Sequence, residues 1–419
     1  MSALNAVLIV GGGQAGYQVA ASLRQEGYAG RITLIGDEPG VPYQRPPLSK
    51  AYLLGKIGAH ALRFRPPEYF EVHRIERLHD RATRIDRAAQ CVHLDSGAQI
   101  PYDHLVLATG ARNRVPAVPG VELDGVFGLR TLADADALAP RLATARHIVV
   151  IGAGFIGLEF AAVAAVKVAE AATVQVLEIG DRVMARAISR PMSDLFAAGH
   201  ASWGVTLHFK QGVAHIVGSN GKVSGVETSD GRLLPAELVV YGIGVVPNVE
   251  LAADAGLAVN NGIAVDALLL TSDPAISAVG DAASFASPYS ASTERPIRLE
   301  SVQNAVDQGK AVAARLMGKP APYTALPWFW TDQGDLRMQI AGLSDGHDRT
   351  VQLGSAESKQ LAVLCFRQGR LIAVETANRT ADHMAARKLL ARATPLTPEQ
   401  AAEPGFELKA FEAATRDTA

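Results

Sequence analysis

Two glycine-rich turns constrain this chain more than any other feature of its sequence. The first, Gly11–Gly16 (GGGQAG), follows the apolar run Ala6–Val10, and the second, Gly152–Gly157 (GAGFIG), follows another apolar run. Each turn leads into a segment rich in small apolar residues and then into a further apolar run. An acid, Asp37 or Glu178, ends each copy 26 residues after its first glycine. This repeated strand–turn–helix–strand pattern predicts two Rossmann-type units, each able to bind a dinucleotide.

The glycine spacing has a physical reason in such a turn. The first glycine permits a tight bend, the second lets a pyrophosphate approach the backbone, and the third lets the helix pack closely on the strand. The phosphate then lies at the helix N-terminus, where unpaired N–H groups and the helix dipole favour an anion. The glycines in these positions are Gly11, Gly13 and Gly16 in the first copy and Gly152, Gly154 and Gly157 in the second.

The acid of the second copy also bears on the choice of nucleotide. A carboxylate at the end of the second strand accepts hydrogen bonds from ribose hydroxyls and repels the 2′-phosphate of NADPH. Glu178 therefore favours NADH. Arg182 and Arg186 follow closely and partly offset this preference.

Composition indicates an ordinary globular protein. The 419 residues suffice for about three domains of roughly 150 residues each, and the net charge of −2 gives no reason to expect nucleic acid or an anionic membrane as a partner. No apolar run reaches the roughly 18 residues of a membrane span. The segment before the first strand has no basic start and no cleavage site, so we expect no signal peptide and a soluble, cytoplasmic protein.

Cysteines and histidines show no pattern of ligands. Cys91 and Cys365 lie far apart, without the spacing of a disulfide framework or a thiolate metal site. The histidines are scattered as well. We therefore expect no metal centre.

The chain between and after the two copies predicts further elements. Pro101–Gly110 is expected to form a strand ending in a glycine turn, and residues 112–125, rich in proline and glycine, a linker. A helix is expected over Leu158–Ala172. Ala275–Asp281 predicts a strand and turn, and Ser301–Met317 a helix capped by Ser301.

The C-terminal part has a different character. Alternating strands are expected at Leu336–Ala341, Leu361–Phe366 and Arg370–Glu375, and a helix near Ala381–Arg392. Together they predict an α+β domain. The tail after Thr394 is rich in proline, alanine and glutamate and is expected to be partly disordered.

Several further segments are similar to those of one family. They are Pro42–Lys50 (PYQRPPLSK), Ala108–Ala111, Gly152–Glu159, Val279–Asp281, Glu300–Asn304 and Pro327–Gln333 (PWFWTDQ). Together they resemble the ferredoxin reductase family, which includes putidaredoxin reductase, rubredoxin reductase and the reductase components of aromatic-ring dioxygenases. The resemblance extends to about Leu390. It implies a glutathione-reductase-like α/β flavoprotein with an FAD-binding domain (1–112 and 243–320), an NAD-binding domain (113–242) and a C-terminal α+β domain (321–419).

The resemblance also implies site residues. Those expected to contact FAD, beside the glycines of the first turn, are Ala15, Asp37, Arg45, Lys50, Arg130, Asp281 and Val302, with Trp330 packing at the flavin edge. The NADH site is expected to include Gly152, Gly154, Ile156, Gly157, Glu159, Glu178 and Gly242. Thr109, Gly110 and Gly280 complete the predicted cofactor-binding set. Lys50, Glu159 and Glu300 are the predicted catalytic residues, close to the reacting rings.

The absence of cysteines from one segment bears on how electrons leave the flavin. Between Gly36 and Lys50, where disulfide reductases and NADH peroxidases carry reactive cysteines, this chain has none. The resemblance implies that NADH passes a hydride to the flavin N5 and that the flavin passes single electrons to a [2Fe–2S] ferredoxin. Such a ferredoxin serves a haem-thiolate monooxygenase or a Rieske oxygenase. A rubredoxin acceptor is the nearest alternative, and a signalling flavoprotein resembling apoptosis-inducing factor is another.

An acidic ferredoxin requires a basic docking surface. The candidates, each of which is equally well explained as an ordinary solvated charge, are Lys310, Arg315, Arg337, Arg387, Lys388 and Lys409.

Overall fold

The structure is a computed structural model that describes residues 4–167, 172–292 and 295–416. Within this part the chain forms two compact units. The first comprises residues up to 44, 60–112 and 246–327, and the second comprises 45–59, 113–245 and the chain from 328 onwards. The predicted division into three domains remains a prediction.

The strands of the described residues are, in chain order, β1 Ala6–Val10, β2 Arg31–Gly36, β3 Ile75–His79, β4 Ala82–Asp86, β5 Cys91–Leu94, β6 Gln99–Pro101, β7 His104–Leu107, β8 Ala111–Asn113, β9 Val126–Gly128, β10 His147–Ile151, β11 Thr173–Glu178, β12 Val205–Phe209, β13 Val213–Ser219, β14 Lys222–Thr228, β15 Leu233–Pro235, β16 Leu238–Tyr241, β17 Val245–Pro247, β18 Ile263–Ala264, β19 Ile276–Ala278, β20 Ala283–Ser284, β21 Trp328–Gln333, β22 Leu336–Gly342, β23 Arg349–Ser355, β24 Gln360–Arg367 and β25 Arg370–Ala377. The α-helices are α1 Gln14–Gln25, α2 Ala59–Leu62, α3 Pro67–Val72, α4 Leu132–Leu142, α5 Phe155–Lys167, α6 Arg190–Ser202, α7 Glu250–Asp254, α8 Val302–Leu316, α9 Thr380–Ala391, α10 Pro398–Ala401 and α11 Leu408–Ala414.

The first unit is built on a parallel sheet with the strand order β19-β7-β1-β2-β3. β1 is apolar on both faces, as a central parallel strand must be. Val7 and Ile9 face a core that includes α1 and α8, whereas Leu8 and Val10 face the core on the other side. α8 approaches α1 closely, because a Cβ on Gly309 would lie only 2.9 Å from the Cβ of Gln18.

The second unit repeats this arrangement with the parallel order β12-β11-β10-β16-β9. Its helix α5 follows β10, as α1 follows β1. The helix predicted over Leu158–Ala172 is described up to Lys167, and residues 168–171 of that prediction lie outside the described residues.

The C-terminal part of the second unit is an antiparallel sheet with the order β21-β22-β25-β24-β23, against which α9 packs. The three predicted strands and the predicted helix are confirmed. Two strands were not predicted, Trp328–Gln333 and Arg349–Ser355. The second of these lies at the sheet edge and carries Gly354, so its apolar alternation is weak.

Some boundaries differ from those predicted. The strand expected over Pro101–Gly110 spans only His104–Leu107. Asp103, immediately before it, accepts hydrogen bonds from the backbone N–H groups of Asn5 and Ala6. The helix capped by Ser301 is confirmed, because the Ser301 Oγ accepts from the backbone N–H of Asn304 at 3.1 Å.

The prediction of a partly disordered tail is wrong for residues 395–416. A capping box, in which Thr397 and Gln400 bond reciprocally, begins α10. Leu396 and Leu408 are buried. The buried carboxylate of Glu412 on α11 accepts from Arg392, which follows α9, and from Arg416. Composition predicted disorder, but caps and these tertiary contacts order the segment.

No helix among the described residues is long and apolar enough to cross a membrane. The predicted α/β fold with two Rossmann-type sheets and a C-terminal α+β part is confirmed.

Candidate functional site

The first glycine turn has the geometry of a pyrophosphate cradle. Gly11 has φ +117°, and a Cβ there would lie 2.1 Å from the carbonyl oxygen of Ala108. A Cβ on Gly16 would lie 2.0 Å from the Gly11 oxygen, so both positions require glycine. A Cβ on Gly13, by contrast, would have no neighbouring atom within 4 Å. Gly13 is also the N-cap of α1, with no side chain capping the helix. The open position and the helix N-terminus therefore fit a dinucleotide phosphate.

The second turn reproduces this geometry. Gly152 has φ +99°, and a Cβ there would lie 2.7 Å from the Gly242 oxygen, while a Cβ on Gly157 would lie 2.2 Å from the Gly152 oxygen. A Cβ on Gly154 would have one neighbouring atom within 4 Å, the Gly242 oxygen at 3.5 Å. Gly242 itself lies directly beneath the turn, since a Cβ on it would meet the Gly157 nitrogen at 3.0 Å. Its predicted place beside this turn is thereby explained by close backbone packing. Ile156 is partly exposed within the turn.

The two acids are held differently. Asp37 follows β2, and its side chain is exposed. Glu178 ends β11, and both of its carboxylate oxygens accept backbone hydrogen bonds at 2.8 Å, one from Ala153 and the other from Gly180. The Glu178 carboxylate therefore belongs to the second turn itself, which fixes a negative charge there.

Neither nearby arginine neutralises Glu178. Arg182 donates to the carbonyl oxygens of Ala185 and Ile188, so its guanidinium is engaged with the backbone. Arg186 is exposed and lies beside Gly244.

A buried ion pair connects the proline-rich segment to α5. The ammonium group of Lys50 lies 2.7 Å from Oε1 of Glu159, which is 3% exposed. Lys50 lies in a π-helical turn, Leu48–Tyr52, that follows Pro46 and Pro47, and its backbone has non-helical angles there (φ −131°, ψ −107°). This local geometry directs the lysine towards α5. Two of the three predicted catalytic residues, Lys50 and Glu159, are thus in direct contact.

Two hydroxyl groups complete the surroundings of Glu159, and sequence reasoning had not singled them out. The Ser49 Oγ donates to Oε2 at 2.5 Å, and the Thr331 Oγ1 donates to Oε1 at 2.6 Å. Both residues belong to the motifs quoted above, the proline-rich and the tryptophan segments. Only the fold shows that these motifs meet at one carboxylate.

Predicted FAD contacts of the first unit meet near the start of α8. Gly280 has φ +73°, and a Cβ on it would lie 3.0 Å from the Cβ of Ala15. Its N–H donates to Oε1 of the buried Gln308 at 2.7 Å. Asp281 follows, and its backbone oxygen accepts from Arg298 at 3.1 Å.

Glu300 and Val302 lie on the segment that enters α8. Glu300, the third predicted catalytic residue, pairs with Arg298 at 2.7 Å. Val302 is the first residue of α8, next to the Ser301 cap. The positive end of this helix dipole therefore lies beside Val302.

Thr109 and Gly110 are held by a residue that the sequence did not indicate. The Thr109 Oγ1 donates to the backbone oxygen of Asn248 at 2.7 Å, and the Asn248 side-chain amide donates to the Thr109 backbone oxygen at 2.9 Å. The Asn248 N–H donates to the oxygen of Gly110 at 3.0 Å. Three hydrogen bonds therefore fix this predicted cofactor-binding turn.

The remaining predicted FAD contacts lie in the second unit. Arg45 donates to the backbone oxygen of Arg130 at 2.8 Å, so these two predicted contacts meet. Trp330 packs against Trp328, with ring centroids 5.5 Å apart. Trp328 also packs on His383 and lies under the guanidinium of Arg387, 4.6 Å from it. Trp328 is therefore a packing residue.

Both cysteines are buried and free. Burial raises the pKa of the Cys365 thiol well above its usual range, and the nearby carboxyl group of Glu375 raises it further. Cys365 is therefore not available as a thiolate at neutral pH.

The candidate docking residues divide into two groups. Lys310, Arg337, Lys388 and Lys409 are exposed, and Arg387 is partly exposed. Arg315 was predicted as part of an exposed surface, and this is wrong. Its guanidinium donates to the buried Ser277 Oγ at 2.5 Å, and burial lowers its pKa. Arg315 is a partly buried structural cation of the first unit.

The two cradles and the buried ion pair define a nucleotide-dependent oxidoreductase. Comparison with known proteins agrees. Residues 5–309 match the family described as pyridine nucleotide-disulphide oxidoreductase, and residues 328–412 match the reductase C-terminal family. Rhodocoxin reductase of Rhodococcus erythropolis is 50% identical over 98% of this chain and 95% of its own length. A rubredoxin–NAD(+) reductase of Pseudomonas putida is 37% identical over 89% of this chain and 96% of its own.

Two solved structures are closely similar over nearly the whole chain. A ferredoxin reductase for the CYP199A2 system from Rhodopseudomonas palustris has a TM-score of 0.93 and 49% identity, covering 97% of this chain and 100% of the other. A covalent putidaredoxin reductase–putidaredoxin complex also has a TM-score of 0.93, with 39% identity and 98% of each chain covered. The chain belongs to the pyridine nucleotide-disulphide oxidoreductase family and, within it, to the ferredoxin reductases. It is an oxidoreductase with FAD and a nicotinamide nucleotide as cofactors.

Proposed function

We propose that the protein transfers electrons from NADH through FAD to a small [2Fe–2S] ferredoxin. The observation that carries this proposal is the pair of glycine turns, each with an open phosphate position at a helix N-terminus. Bound FAD supplies the conversion between the two-electron chemistry of NADH and single-electron transfer. The protein's own residues bind and orient the two cofactors and supply fixed charges beside them.

The first turn is proposed to hold FAD and the second NADH. In the first unit, Ala15, Asp37, Asp281 and Val302 are the proposed FAD contacts, and the ordered turn at Thr109 and Gly110 supports them. The proposed FAD-binding domain comprises 1–112 and 243–320, the NAD-binding domain 113–242, and the C-terminal domain 321–419. The roles of Arg45, Arg130 and Trp330 remain predictions of the same kind.

Lys50 and Glu159 are proposed to act beside the reacting rings. A partly buried lysine held 2.7 Å from a buried carboxylate keeps its position without solvent reorganisation. Glu159 lies on the helix that begins at the second glycine turn, so the NADH site and the ion pair share one rigid element. Glu300 is the further proposed residue near the nicotinamide.

NADH is the proposed nucleotide because of how Glu178 is held. Its charge is fixed by two backbone N–H groups, and Arg182 is engaged elsewhere. A ribose 2′-phosphate placed at this acid would be repelled. The exposed Arg186 is a nearby cation that can moderate this preference.

The proposed acceptor follows from relatives and from charge. The related putidaredoxin reductase has been crystallised in a covalent complex with putidaredoxin. Lys310, Arg337, Lys388 and Lys409 are exposed here, and Arg387 is partly exposed over Trp328. Basic side chains of this kind steer an acidic partner through an association that salt weakens.

The test is anaerobic reduction of the purified yellow protein. NADH is expected to bleach the flavin rapidly, NADPH slowly, and a co-purifying small ferredoxin is expected to reoxidise it. Turnover with ferredoxin is expected to fall as ionic strength rises. A colourless protein that takes up no FAD would exclude the proposal, and a strong preference for NADPH would overturn the choice of nucleotide.

A rubredoxin acceptor is the second candidate, favoured by the 37% identity to a rubredoxin–NAD(+) reductase. Parallel turnover with a ferredoxin and a rubredoxin separates the two. We also propose that the protein works in the cytoplasm, where NADH is available and where two free buried thiols persist in reduced form.

A further inference from the structure

A chain of buried hydrogen-bonded side chains continues from Glu159 into the C-terminal sheet. Thr331, which donates to Glu159, accepts in turn from the Gln333 amide at 3.3 Å. The Gln333 Oε1 accepts from Nε2 of His200 on α6 at 2.8 Å. Thr331, Gln333 and His200 are all at most 1% exposed.

The strand that carries this chain is fixed by its neighbour. Thr331 and Gln333 lie two residues apart on β21, so both side chains point to the same, buried face. Trp330 and Asp332 point to the opposite face. β21 pairs with β22 along its whole length, and Thr331 lies opposite Met338 in this register. The hydroxyl of Thr331 therefore has little freedom to move.

Each member orients the next. Gln333 donates to the Thr331 oxygen, so the Thr331 hydroxyl hydrogen points to Glu159. His200 fixes Gln333 by donating to the carbonyl end of its amide. Burial lowers the pKa of His200 to about 4, so the ring is neutral and donates through a single nitrogen at neutral pH.

Thr331, the last member of this series of hydrogen bonds, contacts the ion pair itself. Thr331 and Lys50 both donate to Oε1 of Glu159, while Ser49 donates to Oε2. Thr331 thereby helps to determine where Oε1 lies, and Oε1 determines where the lysine ammonium lies.

We propose that Thr331, Gln333 and His200 are positioning residues that hold the Glu159–Lys50 ion pair in its working geometry. The inference rests on the proposed function, in which this pair acts beside the flavin and the nicotinamide. The C-terminal sheet then has a role in the reduction of the flavin besides any role in binding an acceptor.

The main test is Thr331→Val, which removes the hydroxyl and keeps the shape. The variant is expected to bind FAD and to unfold within a few degrees of the parent. The limiting rate of flavin reduction at saturating NADH is expected to fall about tenfold, with a small change in NADH affinity. Displacement of the Glu159 carboxylate and the Lys50 ammonium from their places is expected to shift the midpoint potential of bound FAD.

Two controls isolate the hydroxyl. Thr331→Ser is expected to restore both the rate and the potential. Thr33→Val removes an equally buried hydroxyl that donates to the Glu76 carboxylate at 2.7 Å in the first unit. It is expected to affect stability alone. The inference fails if Thr331→Val keeps the parent rate and potential, or if Thr331→Ser is as impaired as Thr331→Val.

A second variant tests the inference even if Thr331→Val folds poorly. Gln333→Met leaves Thr331 in place but removes the group that orients it, and it is expected to slow flavin reduction about threefold. A parent-like rate in Gln333→Met would then overturn the inference. Glu159→Gln separates the two levels of the proposal. If Glu159→Gln reduces the flavin normally, the proposed role of the pair is wrong. If it is slow while Thr331→Val is normal, the positioning role alone is wrong.

Discussion

The two glycine turns have nearly the same backbone, but the helices that follow them bury different chemistry. α1 buries apolar and small side chains and packs closely on α8 through Gly309. α5 is buried over most of its length and carries Glu159, the ion-pair partner of Lys50, into the interior. The same turn thus introduces a packing helix in one unit and a charged helix in the other.

The acids show a second difference. Asp37 is exposed beside its turn, whereas Glu178 is bound into its turn by two backbone N–H groups. We therefore expect the glycine pattern to specify a phosphate cradle, and residues outside the pattern to determine which nucleotide binds there and what chemistry takes place beside it.

The largest effect is expected from Gly→Ala substitutions, which should affect cofactor binding differently in the two glycine turns. Gly11→Ala places a Cβ 2.1 Å from the Ala108 oxygen at φ +117°, and Gly152→Ala places one 2.7 Å from the Gly242 oxygen at φ +99°. We expect Gly11→Ala to lose about 3 kcal/mol or more of unfolding free energy and to purify without FAD. Gly152→Ala is expected to stay yellow and to lose NADH binding.

Absorption spectra and NADH titrations measure these effects. Gly40→Ala is the control, because Gly40 has φ +90° but no atom within 4 Å of a Cβ. If Gly152→Ala lost the flavin and Gly11→Ala kept it, the assignment of the two cofactors would be reversed.

The next effect concerns the charged helix. Glu159→Gln keeps the shape of the side chain but removes the charge that pairs with Lys50. We expect the rate of flavin reduction at saturating NADH to fall about 100-fold while FAD remains bound. Stopped-flow absorbance measures the rate, and the control is Glu76→Gln in the first unit, which makes the same substitution at an exposed carboxylate. Equal rates in Glu159→Gln and the parent protein would show that the two helices do not differ in function.

A smaller effect is expected at the acids. Glu178→Gln removes the fixed charge and keeps an oxygen to accept a backbone hydrogen bond. The preference for NADH over NADPH, measured as a ratio of kcat/KM values, is expected to narrow about tenfold. Asp37→Asn, the counterpart in the first unit, is expected to weaken FAD binding and to leave this ratio unchanged. If both variants changed the ratio, the prediction that only the acid of the second turn determines the preference for NADH would be wrong.

The smallest effect compares one buried histidine in each unit. Burial lowers the pKa of His104 to about 3 and that of His200 to about 4, against an ordinary value of 6.5. Below pH 6.5 the unfolded chain binds protons that the folded protein does not. The contribution of these two histidines to the free energy of unfolding is therefore fully present above pH 6.5, and it is lost progressively as the pH falls towards 4. Each histidine contributes at most about 1.4 kcal/mol per pH unit.

Denaturant unfolding between pH 7 and pH 5 measures this slope. His104→Gln and His200→Gln are each expected to reduce it by one histidine's share. A slope that neither substitution alters would mean that other groups govern the acid sensitivity.

The sequence predicted the elements that depend on local patterns. The glycine turns, the parallel strands beside them, the Ser301 cap and the three strands of the C-terminal sheet all have periodicity or capping residues that can be recognised in isolation. The disorder predicted for the tail failed, because composition does not reveal that Glu412 joins Arg392 and Arg416.

The partners of the site residues could not be predicted from the sequence. Ser49 and Thr331 lie 110 and 172 residues from Glu159, and Asn248 lies 139 residues from Thr109. Such pairs depend on strand order and register, which a single sequence does not encode in any local pattern. Arg315 was misjudged for the same reason, since its partner Ser277 is 38 residues away on another element.

The ordered tail has a practical consequence for anyone who shortens this protein. Deleting the chain from residue 396 onwards as a dispensable end would remove Glu412 on α11 and leave the guanidinium of Arg392, which follows α9, without this acidic partner. It would also uncover the apolar side of the helix that bears Arg387 and Lys388. A shortened protein that couples poorly to its acceptor would then report damage to the surface of α9, and such a result should not be taken as proof that the tail itself binds the acceptor.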